Sequence, residues 1–274
     1  MILASGVPST TALALAALAS FAYLLAGWPL RKGHDARWPS WALALGVSAH
    51  ALWLMIDIGS IGSDRSGVRL GFAPVASLTV CLMLIVHSVE SRIVQLPSVR
   101  RALGWAGAIA VGLAVAFPGE VRALGSPWAP VHWLLGVAAY GLFAAAVLHA
   151  LLLDAADRRL RLRKNPAEAT QTTQGLPLLQ LERLTFLFVQ AGFVVLTAAI
   201  ALGVATAPRW RWDHKTVLSL VAWALFLALL VGRHWRGWRG RQATRWLYAG
   251  TLVLLLAYVG SRFVLEVLLG RSVA

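Results

Sequence analysis

Apolar runs of about 17–25 residues alternate with short islands of charge along the whole chain. That is the length a helix needs to cross a hydrocarbon core about 30 Å thick. The runs predict eight helices, at roughly residues 10–30, 38–58, 70–90, 99–117, 131–153, 184–205, 216–232 and 245–268, with boundaries good to about 2–4 residues. The expected fold is all-α, a polytopic membrane protein whose eight transmembrane helices fill one domain, 1–274. The connections are short, and the spans leave no length for a separate soluble domain.

Composition agrees. The 274 residues are 59% hydrophobic and 13% charged, about half the charge of a soluble globular domain, with a mean hydropathy of +0.71. The net charge of +14 would suggest nucleic acid in a soluble protein. Here the basic residues flank apolar helices, where they set orientation and meet the lipid bilayer, so no nucleic-acid partner is expected. Loops 31–37, 91–101, 154–183 and 233–245 hold 17 of the 25 Lys and Arg. The alternate segments hold 7, and Arg262 lies inside the last span. The positive-inside rule then puts both termini on the outer, periplasm-like side of the membrane. Residues 1–30 carry no Lys or Arg, so the first run is expected to be a retained helix rather than a cleaved signal. The one cysteine, Cys81, lies in an apolar run, which excludes a disulfide framework and a C-x-x-C pair.

Polar groups at or inside a membrane are expensive, so they are the candidates for chemistry. By this topology Trp212, Asp213, His214 and Lys215 lie at the outer mouth of the seventh span. His132 and Trp133 lie at the outer start of the fifth. Neutral imidazole is the commonest side-chain ligand of metals and haem iron. Two histidines at one depth on different helices could take one haem from both sides, as helical bundles do. They could equally be two interfacial histidines bonded to headgroups. His149 lies 17 residues after His132, about 25 Å further in. With His87 it forms a possible inner pair, for which plain helix–helix hydrogen bonds are the alternative. His50 has no evident partner, and His34 and His234 fall in basic loops.

Arg262 and Glu266 are spaced i, i+4 and share a helix face. Either they neutralise each other, or Arg262 faces an anionic ligand group at the outer level. An unpaired Arg in hydrocarbon is costly, so Arg262 is expected to face the bundle, toward the fifth or seventh helix. The small residues of the fourth span, Gly104 and Gly107 among them, predict close helix packing. No nucleophile elbow, P-loop or H-E-x-x-H occurs, so an accessory protein is expected rather than a catalyst.

The run Trp212-Asp213-His214-Lys215, then Thr216 to Trp223, then Gly237-Trp238-Arg239-Gly240, resembles the end of the tryptophan-rich haem-handling segment of the cytochrome c assembly protein family (the CcsA-type superfamily). Ser126-Pro127-Trp128, then His132 ahead of Ala138-Ala139-Tyr140, resembles that family's S-x-W-L-x-x-H…S-Y-A element. Gly71-Phe72-Ala73-Pro74 sits at the corresponding start of the third helix. The likeness covers roughly residues 70–270. Most of the upstream tryptophan motif is missing, His214 stands where the family has proline, and Gly260-Ser261-Arg262-Phe263 replaces a late H-S-Y-G element. The pattern is similar to the short, eight-helix YpjD/HemX-like branch.

The resemblance implies haem binding and a role in cytochrome c biogenesis or haem homeostasis, alongside other membrane proteins. On that reading His132 and His214 are the axial ligands of a b-type haem. Trp212 and Trp133 wall the ring, and Lys215, Arg211 or Arg262 pair with its propionates beside Asp213. The alternatives are a small-solute or ion transporter component, with His87, His149, Arg262 and Glu266 lining a path, and a structural partner of another membrane complex.

Overall fold

A computed structural model describes residues 10–29, 37–59, 68–91, 97–122, 126–162, 178–206 and 212–269. Arg211, His34 and much of the basic loops lie outside the described residues. The helices are α1 (Thr10–Gly27), α2 (Trp38–Ile58), α3 (Phe72–Glu90), α4 (Pro97–Ala116), α5 (Ala129–Leu162), α6 (Leu178–Thr206), α7 (His214–Arg236) and α8 (Gly240–Leu268). All eight are long and apolar enough to cross a membrane.

Two boundaries differ from the sequence expectation. α5 continues to Leu162, past the predicted end near 153, and at 34 residues is about 51 Å long. Its charged end stays helical, with Arg161 paired to Asp157 one turn back at 2.9 Å. α6 begins at Leu178, ahead of the predicted start near 184. One element was not anticipated. A two-stranded antiparallel ribbon joins β1 (Val68–Leu70) to β2 (Glu120–Arg122), with Arg69 opposite Val121.

The chain forms two compact units, residues 1–129 with 259–274, and residues 130–258. In the first, α1 packs against α2 and α4. Alanines at positions 12, 16, 19, 22 and 26 of α1 are buried around Tyr23. The close approach follows from glycine. A Cβ on Gly104 would lie 2.8 Å from the Tyr23 carbonyl oxygen, and one on Gly46 would lie 2.7 Å from the Tyr23 ring. Helices in lipid associate through such small-residue faces, because lipid tails supply no hydrophobic drive between them.

The second unit is built on aromatics. Phe143 of α5 and Phe226 of α7 stack with centroids 3.8 Å apart and planes 6° from parallel. Gly192 of α6 and Gly250 of α8 leave the room, since a Cβ there would lie 3.1 Å from Phe143 and 2.7 Å from Phe226. α7 ends at Gly237, whose φ of 64° is the left-handed C-cap conformation that glycine adopts at least cost. That turn lays Trp238 over Gly232 and stacks it on Trp246 at 5.2 Å.

α8 is not a plain α-helix. It passes into π turns at Leu256–Gly260 and Val264–Leu268. Tyr140 of α5 supplies a cause for the first. Its hydroxyl donates to the Leu254 carbonyl and faces the Tyr258 backbone N–H. A side chain inserted into the i to i−4 ladder opens it by one residue.

Candidate functional site

His50, Asp57, Arg69 and Arg262 of the first unit each have a partner inside it. His50 is fully buried. Its Nδ1 lies 3.0 Å from the Tyr23 hydroxyl and its Nε2 2.8 Å from Ser77 Oγ. The sequence left His50 without a partner; the structure gives it two, one on each neighbouring helix. Arg69, counted as a loop charge, is buried and bonds Asp57 at 3.3 Å. Arg262 is only 4% exposed, which agrees with the expectation that it avoids lipid. Arg262 Nη1 lies 3.8 Å from Glu266 Oε1, and Glu266 Oε2 accepts from the Phe72 N–H at the start of α3 at 3.3 Å. The carboxylate satisfies a helix N-terminus that no side chain of α3 itself caps.

The second unit holds the other site residues. His132 stands in the first turn of α5, exposed, with Nδ1 2.9 Å from the Ala199 carbonyl of α6. A carbonyl can only accept, so Nδ1 is the donor and Nε2 is the ring nitrogen left to face away from α6. Gly203, one turn beyond Ala199, clears the space for the ring. A Cβ there would lie 2.8 Å from His132 Cε1. Next to it, the buried Trp133 Nε1 has no hydrogen-bond partner among the described residues, an indole donor that costs energy until an acceptor meets it.

His214 begins α7 and is exposed. Asp213 precedes it as N-cap in extended geometry, accepting from the Thr216 N–H and hydroxyl, each at 2.8 Å. Burial pushes the Asp213 carboxyl up. The two Thr216 hydrogen bonds, with Lys215 and His214 nearby, outweigh it and hold the group below the usual carboxylate value. Lys215 Nζ lies 5.8 Å from the centre of the Tyr258 ring. Trp212 is 72% exposed.

The packing of α6 on α7 relates the two histidines. Trp223 Nε1 donates to Thr197 Oγ1 at 2.9 Å, and Phe193 stacks on Trp223. Thr197 is nine residues before the end of α6, and Trp223 nine after the start of α7. His214 is therefore level with Thr206, and His132 touches α6 at Ala199 and Gly203. The histidines share one end of the unit, within about 10 Å along the helix axis. His149, by contrast, is buried, with Nδ1 donating to Ala145 in its own helix at 2.8 Å. His87 is buried too. Among the described residues no group of three or more His, Cys, Asp or Glu is arranged around a bare metal ion. The sequence offered no sign of the Tyr140 wedge or of Arg69 pairing with Asp57, because neither follows from spacing along one helix.

The family model for cytochrome c assembly proteins matches residues 41–269. The chain belongs to the cytochrome c assembly protein family. The match begins well before the residue near 70 where the motif likeness starts. Inner membrane protein YpjD of Escherichia coli K12 is 31% identical over 258 residues, covering 91% of this chain and 94% of that one. An uncharacterized 28.8 kDa protein of Azospirillum brasilense is 30% identical over 237 residues, 84% of this chain and 85% of its own. Cytochrome c biogenesis protein CcsA of Prochlorococcus marinus NATL1A is 33% identical over 86 residues, covering 30% of this chain and 27% of its own. No solved structure matches. Family membership thus extends over most of this multi-span membrane protein, whereas the likeness to CcsA is local.

Proposed function

We propose that this protein binds haem at the end of the second unit where α5 begins and α6 ends, and handles it in cytochrome c biogenesis or haem homeostasis. The residue that carries this reading is His132. A metal-bound histidine nearly always donates its other ring N–H to a carbonyl or carboxylate, which fixes the tautomer and aims the ligating nitrogen. The bond from Nδ1 to Ala199 supplies that arrangement and leaves Nε2 for iron. A haem brings four nitrogens of its own, so one or two histidines complete it.

His214 is the second axial ligand in this reading. Lys215 is the cation for a propionate, since a buried carboxylate needs a charged partner. Trp133 lends its unmet N–H to an acceptor of the ligand, and Trp212 shields the ring from water. Glu266 already holds Arg262, so the propionates are assigned to Lys215. The group, of b type, would supply the iron chemistry; the chain supplies ligation, charge and cover. Partners are other membrane proteins of haem handling. The setting is a bacterial inner membrane, with this end of the unit facing outward.

Haem titrated into the purified protein should give a low-spin six-coordinate spectrum, lost in His132→Ala and in His214→Ala with helix content unchanged. If both variants keep that spectrum, the ligand assignment is wrong. If the wild type takes up no haem at all, the haem reading itself fails. Reporter fusions after Leu162 and after Arg239 should both score cytoplasmic, and a periplasmic signal from either would reverse the orientation.

A further inference from the structure

The turn joining α7 to α8 lies at the opposite end of the same unit from His132 and has no part in the haem reading. Five arginines crowd into it, Arg233, Arg236, Arg239, Arg241 and Arg245, and among the described residues one carboxylate is in contact with them. That carboxylate, Glu182 of α6, is already taken. Arg233 bonds it at 2.8 Å while lying over the Phe186 ring at 3.4 Å, and Arg239 approaches it to 4.0 Å.

Arg236, Arg241 and Arg245 are exposed, and among the described residues none of them forms an ion pair. Arg241 and Arg245 are spaced i, i+4 on α8, an arrangement that repels on a bare helix. The end of α5 is basic too, and there Arg161 pairs with Asp157 at 2.9 Å, while Arg158 and Arg159 form no ion pair among the described residues.

We propose that the α7–α8 turn binds the headgroup of an anionic phospholipid, with Arg236, Arg241 and Arg245 as its cationic contacts. Three observations favour lipid over an acidic protein segment. The arginines lie where two membrane-length apolar helices end, which is headgroup depth. Trp235, beside Arg236, is 80% exposed, and exposed indoles at helix ends settle in the same layer. The turn itself is held in shape by Gly237 in the left-handed conformation and by the Trp238–Trp246 stack. The charges are thus displayed on a fixed loop and need no partner protein to order them.

The test uses the detergent-purified full chain and native mass spectrometry, with phosphatidylglycerol and phosphatidylcholine of matched acyl chains as probes. Phosphatidylglycerol should be retained about tenfold better or more, given the attraction of each Arg for an anionic surface. Added NaCl should erode that preference. Changing all three contacts together (Arg236→Gln, Arg241→Gln and Arg245→Gln) should abolish it, and the matching Lys variant should keep most of it. The pair Arg158→Gln with Arg159→Gln should leave it unchanged. Equal retention of the two lipids by the wild type, or an undiminished preference in the Gln variant, would overturn the proposal. So would displacement of the lipid by millimolar inorganic phosphate, which would mark a site for a free anion. Salt dependence in the wild type keeps the test decisive if the Gln variant fails to fold.

Discussion

His50 of the first unit and His132 of the second are used in opposite ways. In the first, His50 sits fully buried with Tyr23 on one ring nitrogen and Ser77 on the other. Both nitrogens are spent on joining α1, α2 and α3. In the second, His132 is exposed and spends one nitrogen on Ala199, and among the described residues nothing bonds the other. Depth in the membrane therefore does not mark a ligand histidine, and neither does burial. What separates them is whether the surrounding fold consumes one nitrogen or two. In the first unit Asp57 pairs with Arg69 and Glu266 with Arg262. In the second, the buried Trp133 N–H has no hydrogen-bond partner among the described residues.

The sharpest break is a double dissociation. His132→Ala should remove the haem spectrum and leave thermal stability in detergent nearly unchanged, because the ring is exposed and only one bond to Ala199 is lost. His50→Leu should do the reverse. It orphans the Tyr23 and Ser77 hydroxyls and should cost about 1–3 kcal/mol of stability, with haem retention intact. Haem loss in His50→Leu at full helix content would mean that the contrast between the units is misdrawn.

A smaller effect is expected from the support around His132. In Gly203→Val the new Cβ would press on the imidazole from 2.8 Å. The ring must swing, and its bond to Ala199 is strained or broken. Haem affinity should fall about 10–100-fold, the usual cost of losing the group that orients a ligand histidine. A titration showing unchanged affinity would detach the Ala199 bond from any role in ligation. The corresponding crowding in the first unit, Gly46→Val against the Tyr23 ring at 2.7 Å, should instead lower stability by about 1–3 kcal/mol. Thermal unfolding reads that loss, and the haem spectrum should not register it.

These contrasts bear on what a sequence can disclose. The eight spans were legible because about twenty apolar residues in a row have few uses other than crossing a membrane. Where charge begins, the criterion fails while the helix need not. Asp157 and Arg161 carry α5 on to Leu162 through an i, i+4 pair, and α6 starts at Leu178 before its apolar run is under way. The depth of His132 and His214 was also legible, since both flank a span. Which ring nitrogen is occupied was not. That depends on Ala199, 67 residues away and facing His132 only through packing. The partner of Arg69 was hidden for the same reason. Position in a loop suggests a solvated charge, and only the β ribbon turns it in toward Asp57. The π turn in α8 had no local signal, because its cause is a hydroxyl on α5.

The mildest test concerns Asp213, which the tryptophan motif suggested as part of the ligand machinery and which the structure shows capping α7. Asn accepts a cap hydrogen bond as well as Asp does, and Ala accepts none. If capping is the whole role, Asp213→Asn should retain stability and haem, and Asp213→Ala should lose about 1 kcal/mol. Haem retention should weaken in step, as the start of α7 frays under His214. The pH dependence follows from the depressed carboxyl. A group whose folded value lies below its unfolded one stabilises above the unfolded value, near 3.9. That contribution is lost as pH falls through the lower folded value. Asp213 should therefore contribute nothing to any change between pH 7 and pH 5, and the Asn variant should match the wild type throughout that window. Spectra in which Asp213→Asn loses haem as fully as His214→Ala would show the carboxylate acting on the ligand itself. The cap would then be its second role, and the second unit would hold a charge reserved for haem where the first unit spends its charges on itself.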